Sequence, residues 1–160
     1  MPNPKPEACL TLDELNVGDR VELDYTITDE DVQKFGEISG DFNPAHFNEA
    51  YAADTRFGQR IAHGMISVAK FSGLFGMHMP GLGAIWAEQN VRFKAPVYLD
   101  APYTAIAEII EKTDKFVKCR TWVEDQEGDV MLEGEGVLYP IPAKVKDKMG
   151  ADLNKLLAES

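Results

Sequence analysis

Apolar and polar residues follow two different periods along the chain, and the change of period divides it. Val21, Leu23, Tyr25 and Ile27 alternate with polar neighbours, a period of two that predicts a strand over residues 18–27. Thr28, followed by Asp29, Glu30 and Asp31, is a helix start, with a capping hydroxyl and carboxylates at the positive end. Val32, Phe35 and Ile38 are expected on one face of that helix, which should end near Gly40. A second start lies at Asn43-Pro44, because proline fits a first turn and its predecessor avoids helical angles. Asn43 is therefore predicted as N-cap, Pro44 as the first helical residue and His46 as the third, in a helix reaching about residue 53. After a loop over 56–62, His63-Gly64-Met65 opens an apolar helix over 63–75. Its stripe is expected to hold Met65, Val68, Ala69, Ser72 and Phe75.

Beyond the turn at Gly81-Leu82-Gly83 the period returns to two. Residues 85–94 are predicted to place Ile85, Ala87, Gln89, Val91 and Phe93 on one face. Segments 103–111, 116–124 and 130–139 repeat the alternation, with turns at Thr113-Asp114 and Gln126-Glu127-Gly128-Asp129. A strand, then helices, then antiparallel strands is an α+β layout. The 63–75 helix is too apolar for a surface, so the sheet should wrap it. Residues 1–14, with Pro2, Pro4 and Pro6, read as a loose leader and 15–142 as one domain. Residues 143–160 form a tail, where Val145, Met149, Leu153, Leu156 and Leu157 suggest a weak amphipathic helix containing Gly150.

Composition narrows the function classes. A chain of 160 residues suits one domain and buries ~70% of its unfolded surface without a disulfide or metal staple. With 16 Lys+Arg against 27 Asp+Glu the formal charge is −11, which repels phosphate backbones and anionic lipid, so neither nucleic acid nor a membrane surface is expected as partner. Cys9 and Cys119 make no disulfide framework and no metal-ligand pattern. The apolar stretch 65–86 is too broken by Lys70, His78 and glycines to span a bilayer, and residues 1–10 lack a signal-peptide core. A reducing, cytoplasmic setting is expected.

The chemistry-bearing residues are concentrated in Ser39-Gly-Asp-Phe-Asn-Pro-Ala-His46 and His63-Gly64-Met65. Asp41 and His46 lie across a turn that can bring a carboxylate and an imidazole over one water, which is general acid–base equipment. The helix start at Pro44 favours a neutral His46, whereas Asp41 favours its protonation. Gly64, at the start of an apolar helix, offers backbone N–H groups to an oxygen gaining negative charge. Each feature also has a structural reading: Asp-x-Asn-Pro as a capped turn, His63 as a backbone-bonded core histidine, Cys119 as core and His78 as an inert loop residue.

These motifs, with Phe71-Ser72-Gly73-Leu74 and Phe93-Lys94-Ala95-Pro96-Val97, resemble the MaoC-like (R)-specific enoyl-CoA hydratases, including those feeding polyhydroxyalkanoate synthesis. The likeness runs from about Leu15 to Tyr139. It implies a hot-dog fold, an antiparallel sheet wrapped around a long central helix, and a homodimer whose sheets pair edge to edge. By motif position it makes Asp41 and His46 a catalytic dyad, Asn43 the residue orienting their loop, and the Gly64 N–H the donor to the thioester oxygen of an acyl-CoA substrate. No cofactor and no metal is expected, since the thioester itself polarises the alkene. Ser72 and Phe75, three apart on the central helix, are expected to line the acyl pocket, with Phe75 packed under the sheet as the alternative. Arg92 and Lys94, with Arg56 and Arg60 in the loop before that helix, are expected to meet the CoA phosphates, and a solvated surface is the alternative for all four. A dehydratase acting on acyl carrier protein would keep the same dyad, although the net charge opposes an acidic carrier. A hot-dog thioesterase shares the fold without the motif, and a non-catalytic acyl-thioester-binding module would have no use for the dyad.

Overall fold

The computed structural model describes residues 3–158; Pro2 of the leader and residues 159–160 of the tail lie outside them. The strands are β1 (Arg20–Tyr25), β2 (Ile85–Gln89), β3 (Arg92–Phe93), β4 (Tyr103–Lys112), β5 (Val117–Asp125) and β6 (Val130–Tyr139). They form one antiparallel sheet in the order β1-β4-β5-β6-β2, with β3 also pairing β6. The hairpin turns close through side chains. Asp125 Oδ1 accepts the N–H groups of Glu127 and Asp129, and Thr113 Oγ1 accepts those of Lys115 and Phe116. Such local bonds hold antiparallel neighbours in register before the long-range core forms.

Helix α1 (Asp29–Ser39) follows β1, capped by Thr28 and ended by Gly40 at φ +76°, a left-handed conformation that glycine adopts without steric cost. The short helices α2 (Pro44–Phe47) and α3 (Glu49–Ala53) lead to α4 (Gly64–Gly73), which runs on into a π-turn over Leu74–His78. Ile66, Val68, Phe71, Leu74 and Phe75 of this continuous rod are buried against the inner sheet face, where Ala105, Ala107, Ile109, Cys119 and Val123 are fully enclosed. The sheet thus wraps the apolar helix as its composition requires, and the architecture is the expected α+β hot-dog fold. Burial pushes the Cys119 thiol up to about 12, in keeping with a core residue rather than a nucleophile.

Several expected details are corrected. The helix expected to reach residue 53 breaks at Asn48, whose extended backbone ends α2 while its side chain accepts the Tyr51 N–H to cap α3. The strand expected over 85–94 is interrupted. A bulge between Trp86 and Glu88 reverses the alternation, leaving Ile85 and Ala87 exposed and turning Trp86 and Gln89 partly inward. On α1, Val32 is buried but Ile38 is exposed. On α4, Met65, Ala69 and Ser72 face outward, and the buried arc centres on Ser67, Phe71 and Leu74. The leader is not loose. Glu7 and Leu10 donate backbone bonds to Met77 and Pro80, Leu82 donates to Ala8, and Cys9 bridges Gly81. The tail forms α5 (Ala143–Met149) and α6 (Ala151–Leu156), divided at Gly150, whose φ of +45° breaks the helix. It returns to the leader through Lys146–Glu14 at 2.7 Å and the Ala158 N–H to the Pro6 carbonyl at 2.8 Å.

Candidate active site

The loop between α1 and α2 is built from side-chain bonds to its own backbone. Ser39 Oγ donates to the Phe35 carbonyl at 2.6 Å and accepts the Asp41 N–H at 3.1 Å, so Asp41 leaves the helix in a fixed direction. Asp41 Oδ1 accepts the Asn43 N–H at 3.1 Å, and Asn43 Oδ1 accepts the Ala45 N–H at 3.0 Å. Asn43 is therefore the N-cap of α2 and the link between the two ends of the dyad loop. Gly36 leaves room for this packing, because a β-carbon there would meet the Phe47 ring at 2.7 Å.

His46 Nδ1 lies 2.8 Å from the Ile61 carbonyl, which can only accept, so that nitrogen carries the hydrogen. In the neutral ring Nε2 then presents a lone pair, 3.8 Å from Asp41 Oδ2. Two acceptors at this separation do not bond each other. Such a separation is one that a single bridging water, donating one hydrogen to each, can satisfy.

His63 lies beneath the pair. Its buried ring stacks on His46 with centroids 3.8 Å apart, and Phe35 and Phe47 flank it at 4.9 and 5.7 Å. Nε2 donates to the Asp41 backbone carbonyl at 2.9 Å, whereas Nδ1 is buried without a partner among the described residues. Burial holds the His63 imidazole below its ordinary value, outweighing the bond to Asp41, so the ring is kept neutral. The sequence left His63 open between structural and functional readings; its bond to Asp41 could not be read because the partner is a backbone atom in a distant loop.

Asp41, His46 and His63 are close enough to suggest a metal site. The geometry argues otherwise. Stacked rings aim their lone pairs side by side rather than at one point, and His63 Nε2 is occupied as a donor.

His63 is also the N-cap of α4, which brings Gly64 beside the dyad. A cleft of about 250 Å³ is lined by His46, Gly64, Arg56, Phe57, Phe93 and the 94–97 segment. Free N–H groups at the first turn of α4, an imidazole and a flanking aromatic ring are thus gathered around one apolar space.

The remaining expected residues divide. Arg56 lines the cleft, its guanidinium over the Phe57 ring, and makes no ion pair among the described residues. Arg60 is structural: Nε donates to the His46 carbonyl at 2.7 Å while the guanidinium bonds Asp29 and approaches Glu49. Lys94 borders the cleft, but its ammonium pairs with Glu133 at 3.1 Å and holds that carboxyl below its usual range. Arg92 lies apart, in a different surface cleft with Arg120 and Glu133. The expected Arg92–Lys94 phosphate clamp is therefore not assembled in this chain. Ser72 and Phe75 do not share a face either. Ser72 is exposed, while Phe75 is 2% exposed and packs edge-on against Trp86 at 5.4 Å. Three residues on a helix leave an offset of about 60°, enough to carry Ser72 past the edge of the buried arc. His78 contacts Glu7 of the leader at 2.8 Å.

Comparison with known proteins places this geometry in context. Residues 15–129 match the MaoC like domain family. The chain is 39% identical over 134 residues to the (R)-specific enoyl-CoA hydratase of Rhodospirillum rubrum, covering 82% of this chain and 92% of that protein. It is 37% identical to the 3-hydroxybutyryl-CoA dehydratase of Methylorubrum extorquens, over 84% of this chain and 86% of that one. The solved structure of the R-hydratase PhaJ1 from Pseudomonas aeruginosa superposes with a TM-score of 0.78 at 39% identity, covering 81% of this chain and 84% of that chain.

Proposed function

The chain belongs to the MaoC-like family, and we propose that it is a hydro-lyase, an (R)-specific enoyl-CoA hydratase that adds water across trans-2-enoyl-CoA to give (R)-3-hydroxyacyl-CoA. The observation that carries the residue assignment is the pair of facing acceptors, Asp41 Oδ2 and His46 Nε2, beside the first turn of α4. The thioester oxygen docks against the Gly64 N–H, which draws electron density from C3 and meets the enolate charge as it grows. Water held by Asp41 and His46 attacks C3. One of its protons passes to the dyad and is returned to C2, so atoms balance and the reverse dehydration uses the same groups.

Arg56, a cleft cation with no ion pair among the described residues, supports recognition of the CoA phosphates there. Met65, Ile85 and Phe93 are large apolar residues left exposed along the outer face of α4 and the β2–β3 edge, which supports a homodimer with a second copy covering them. Two buried free cysteines fit a reducing cytoplasm. No helix among the described residues is long and apolar enough to cross a membrane. A role in supplying (R)-3-hydroxyacyl thioesters to polyhydroxyalkanoate synthesis is the finer reading of the same chemistry.

The test is incubation with crotonyl-CoA, followed by loss of the conjugated absorbance and chiral analysis of the hydrolysed product. Hydration to the (R) product is expected. No hydration, or a predominantly (S) product, overturns the proposal. A parallel assay on the crotonyl acyl-carrier thioester should be slower, because an acidic carrier approaches a chain of net charge −11.

A further inference from the structure

We infer that His63 is a positioning residue for the dyad: its imidazole holds the Asp41 peptide through Nε2–H and backs the His46 ring by stacking, and its backbone starts the helix that presents Gly64. The inference deepens the proposed hydratase reading and rests on it for its catalytic meaning.

One residue reaches all three parts of the site. Its hydrogen bond to the Asp41 carbonyl is 2.9 Å long, and its ring lies 3.8 Å from that of His46. Its own carbonyl accepts the Ile66 N–H at 3.0 Å, closing the first turn of α4. A carbonyl partner dictates the tautomer, so Nδ1 must be the unprotonated nitrogen; it is buried with nothing to bond among the described residues. Protonating it would create a buried cation with an unpaired donor, stacked on His46, so the surroundings disfavour that form. That preference matters for the chemistry. An imidazolium here would lie 3.9 Å from Asp41 Oδ2 and would compete with the water for that carboxylate. The groups packed on the ring are Asp41 from the loop, His46 and Phe47 from α2, and Phe35 from α1, so only Asp41 and His46 could exchange charge with it.

The bond and the stack can be separated by substitution. His63→Phe keeps an aromatic ring of similar volume and loses the donor. His63→Gln loses the ring but can place an amide N–H near the position of Nε2. A purely structural histidine would be replaced better by phenylalanine in this aromatic box; a positioning donor would be replaced better by glutamine. Because small misplacements of reacting groups cost up to about 10²-fold, His63→Phe should lower kcat about 10–100-fold with KM within about twofold. His63→Gln should recover most of the loss. If His63→Phe does not fold, His63→Asn, whose shorter amide cannot span the gap, takes its place with the same expected deficit relative to Gln.

A measurement independent of turnover separates failure of this inference from failure of the hydratase reading. The chain has only 3 histidines, so long-range imidazole ¹H–¹⁵N spectra can be assigned by single substitution. His63 should appear as the Nε2–H tautomer at pH 8. A Nδ1–H tautomer, or a folded His63→Phe with wild-type kcat, would each overturn the inference.

Discussion

The ring of Phe93 lies against the backbone of Gly64 so closely that a β-carbon on Gly64 would fall 2.5 Å from ring atom Cε1. That contact joins the β3 edge to the first turn of α4. Since Phe93 is 53% exposed, its ring can swing aside, and Gly64→Ala should fold with a melting temperature within a few degrees of wild type. In the proposed docking the added methyl would crowd the thioester oxygen at the N–H. The N–H itself remains, so the cost is misplacement of the reacting groups, up to about 10²-fold, and kcat/KM for crotonyl-CoA should fall by about 10–100-fold. Wild-type kinetics in the folded variant would remove Gly64 from the oxyanion role.

Asp41→Asn should fold normally, because the amide Oδ1 can still accept the Asn43 N–H and the side chain is half exposed. What it loses is an acceptor facing His46 across the water position. His46→Gln loses the imidazole Nε2 that faces Asp41. Each should lower kcat by at least about 10²-fold, the lower range for general acid–base help. Steady-state assays beside thermal melts check this, and substantial turnover in either folded variant would break the dyad assignment.

The two loop arginines should separate cleanly. Arg60 is largely buried and holds the His46 carbonyl, so Arg60→Ala should cost about 1.5–3 kcal/mol, the range for hydrogen bonds involving a charged group, and lower activity by loosening α2. Arg56 faces the cleft, so Arg56→Ala should leave the melting temperature unchanged and raise KM for CoA thioesters several-fold. The KM effect should shrink as salt is added, since the attraction is screened. Equal behaviour of the two variants in melts and assays would overturn this division.

Local chemistry made much of this site legible in the sequence. Thr28, Gly40, Asn43 and Pro44 each specify a backbone position by a short-range steric or hydrogen-bonding rule, and the chain obeys them. The α+β layout followed from two periods of two and 3.6 residues. The features that escaped are non-local. Arg60 and Arg56 lie four residues apart in one loop and differ only in what surrounds them. Ser72 and Phe75 seemed to share a stripe because helical spacing gives relative angles, not the direction of the core. The bulge at Trp86 shifted a strand face by one residue, something alternation alone cannot reveal. The leader reads as loose by its prolines, yet it pairs with the segment after the π-turn through backbone groups that carry no sequence signature.

Met65, Ile85 and Phe93 are 52%, 63% and 53% exposed, the last two at opposite ends of the β2–β3 sheet edge. Covering it with a second copy satisfies the edge strand and removes the apolar area from water. Light scattering at micromolar concentration should therefore return about twice the chain mass of 17.8 kDa. Ile85→Lys should shift the population toward monomer, and a monomeric wild type would remove the dimer.

The buried neutral imidazole of His63 also predicts a stability profile. Its folded value lies below the ordinary 6.5, mainly because burial penalises the charged form. Above pH 6.5 neither folded nor unfolded chain binds this proton, and the full stability is present. As pH falls below 6.5 the unfolded chain takes up the proton while the folded one resists, so stability is lost until the folded value is reached, and no further below it. The carboxyls held low in the fold, Glu14, Asp31 and Glu133, have the same sign, but their window begins below their ordinary values of 3.8 to 4.5. Melting temperatures at pH 7.5, 6.5 and 5.5 thus stay above the carboxyl window, and comparison with His63→Gln separates His63 from the other histidines. Wild type should lose stability across this interval, and His63→Gln, which cannot titrate, should show a shallower decline. Parallel curves for the two proteins would mean that His63 is protonated in the fold as readily as in the unfolded chain.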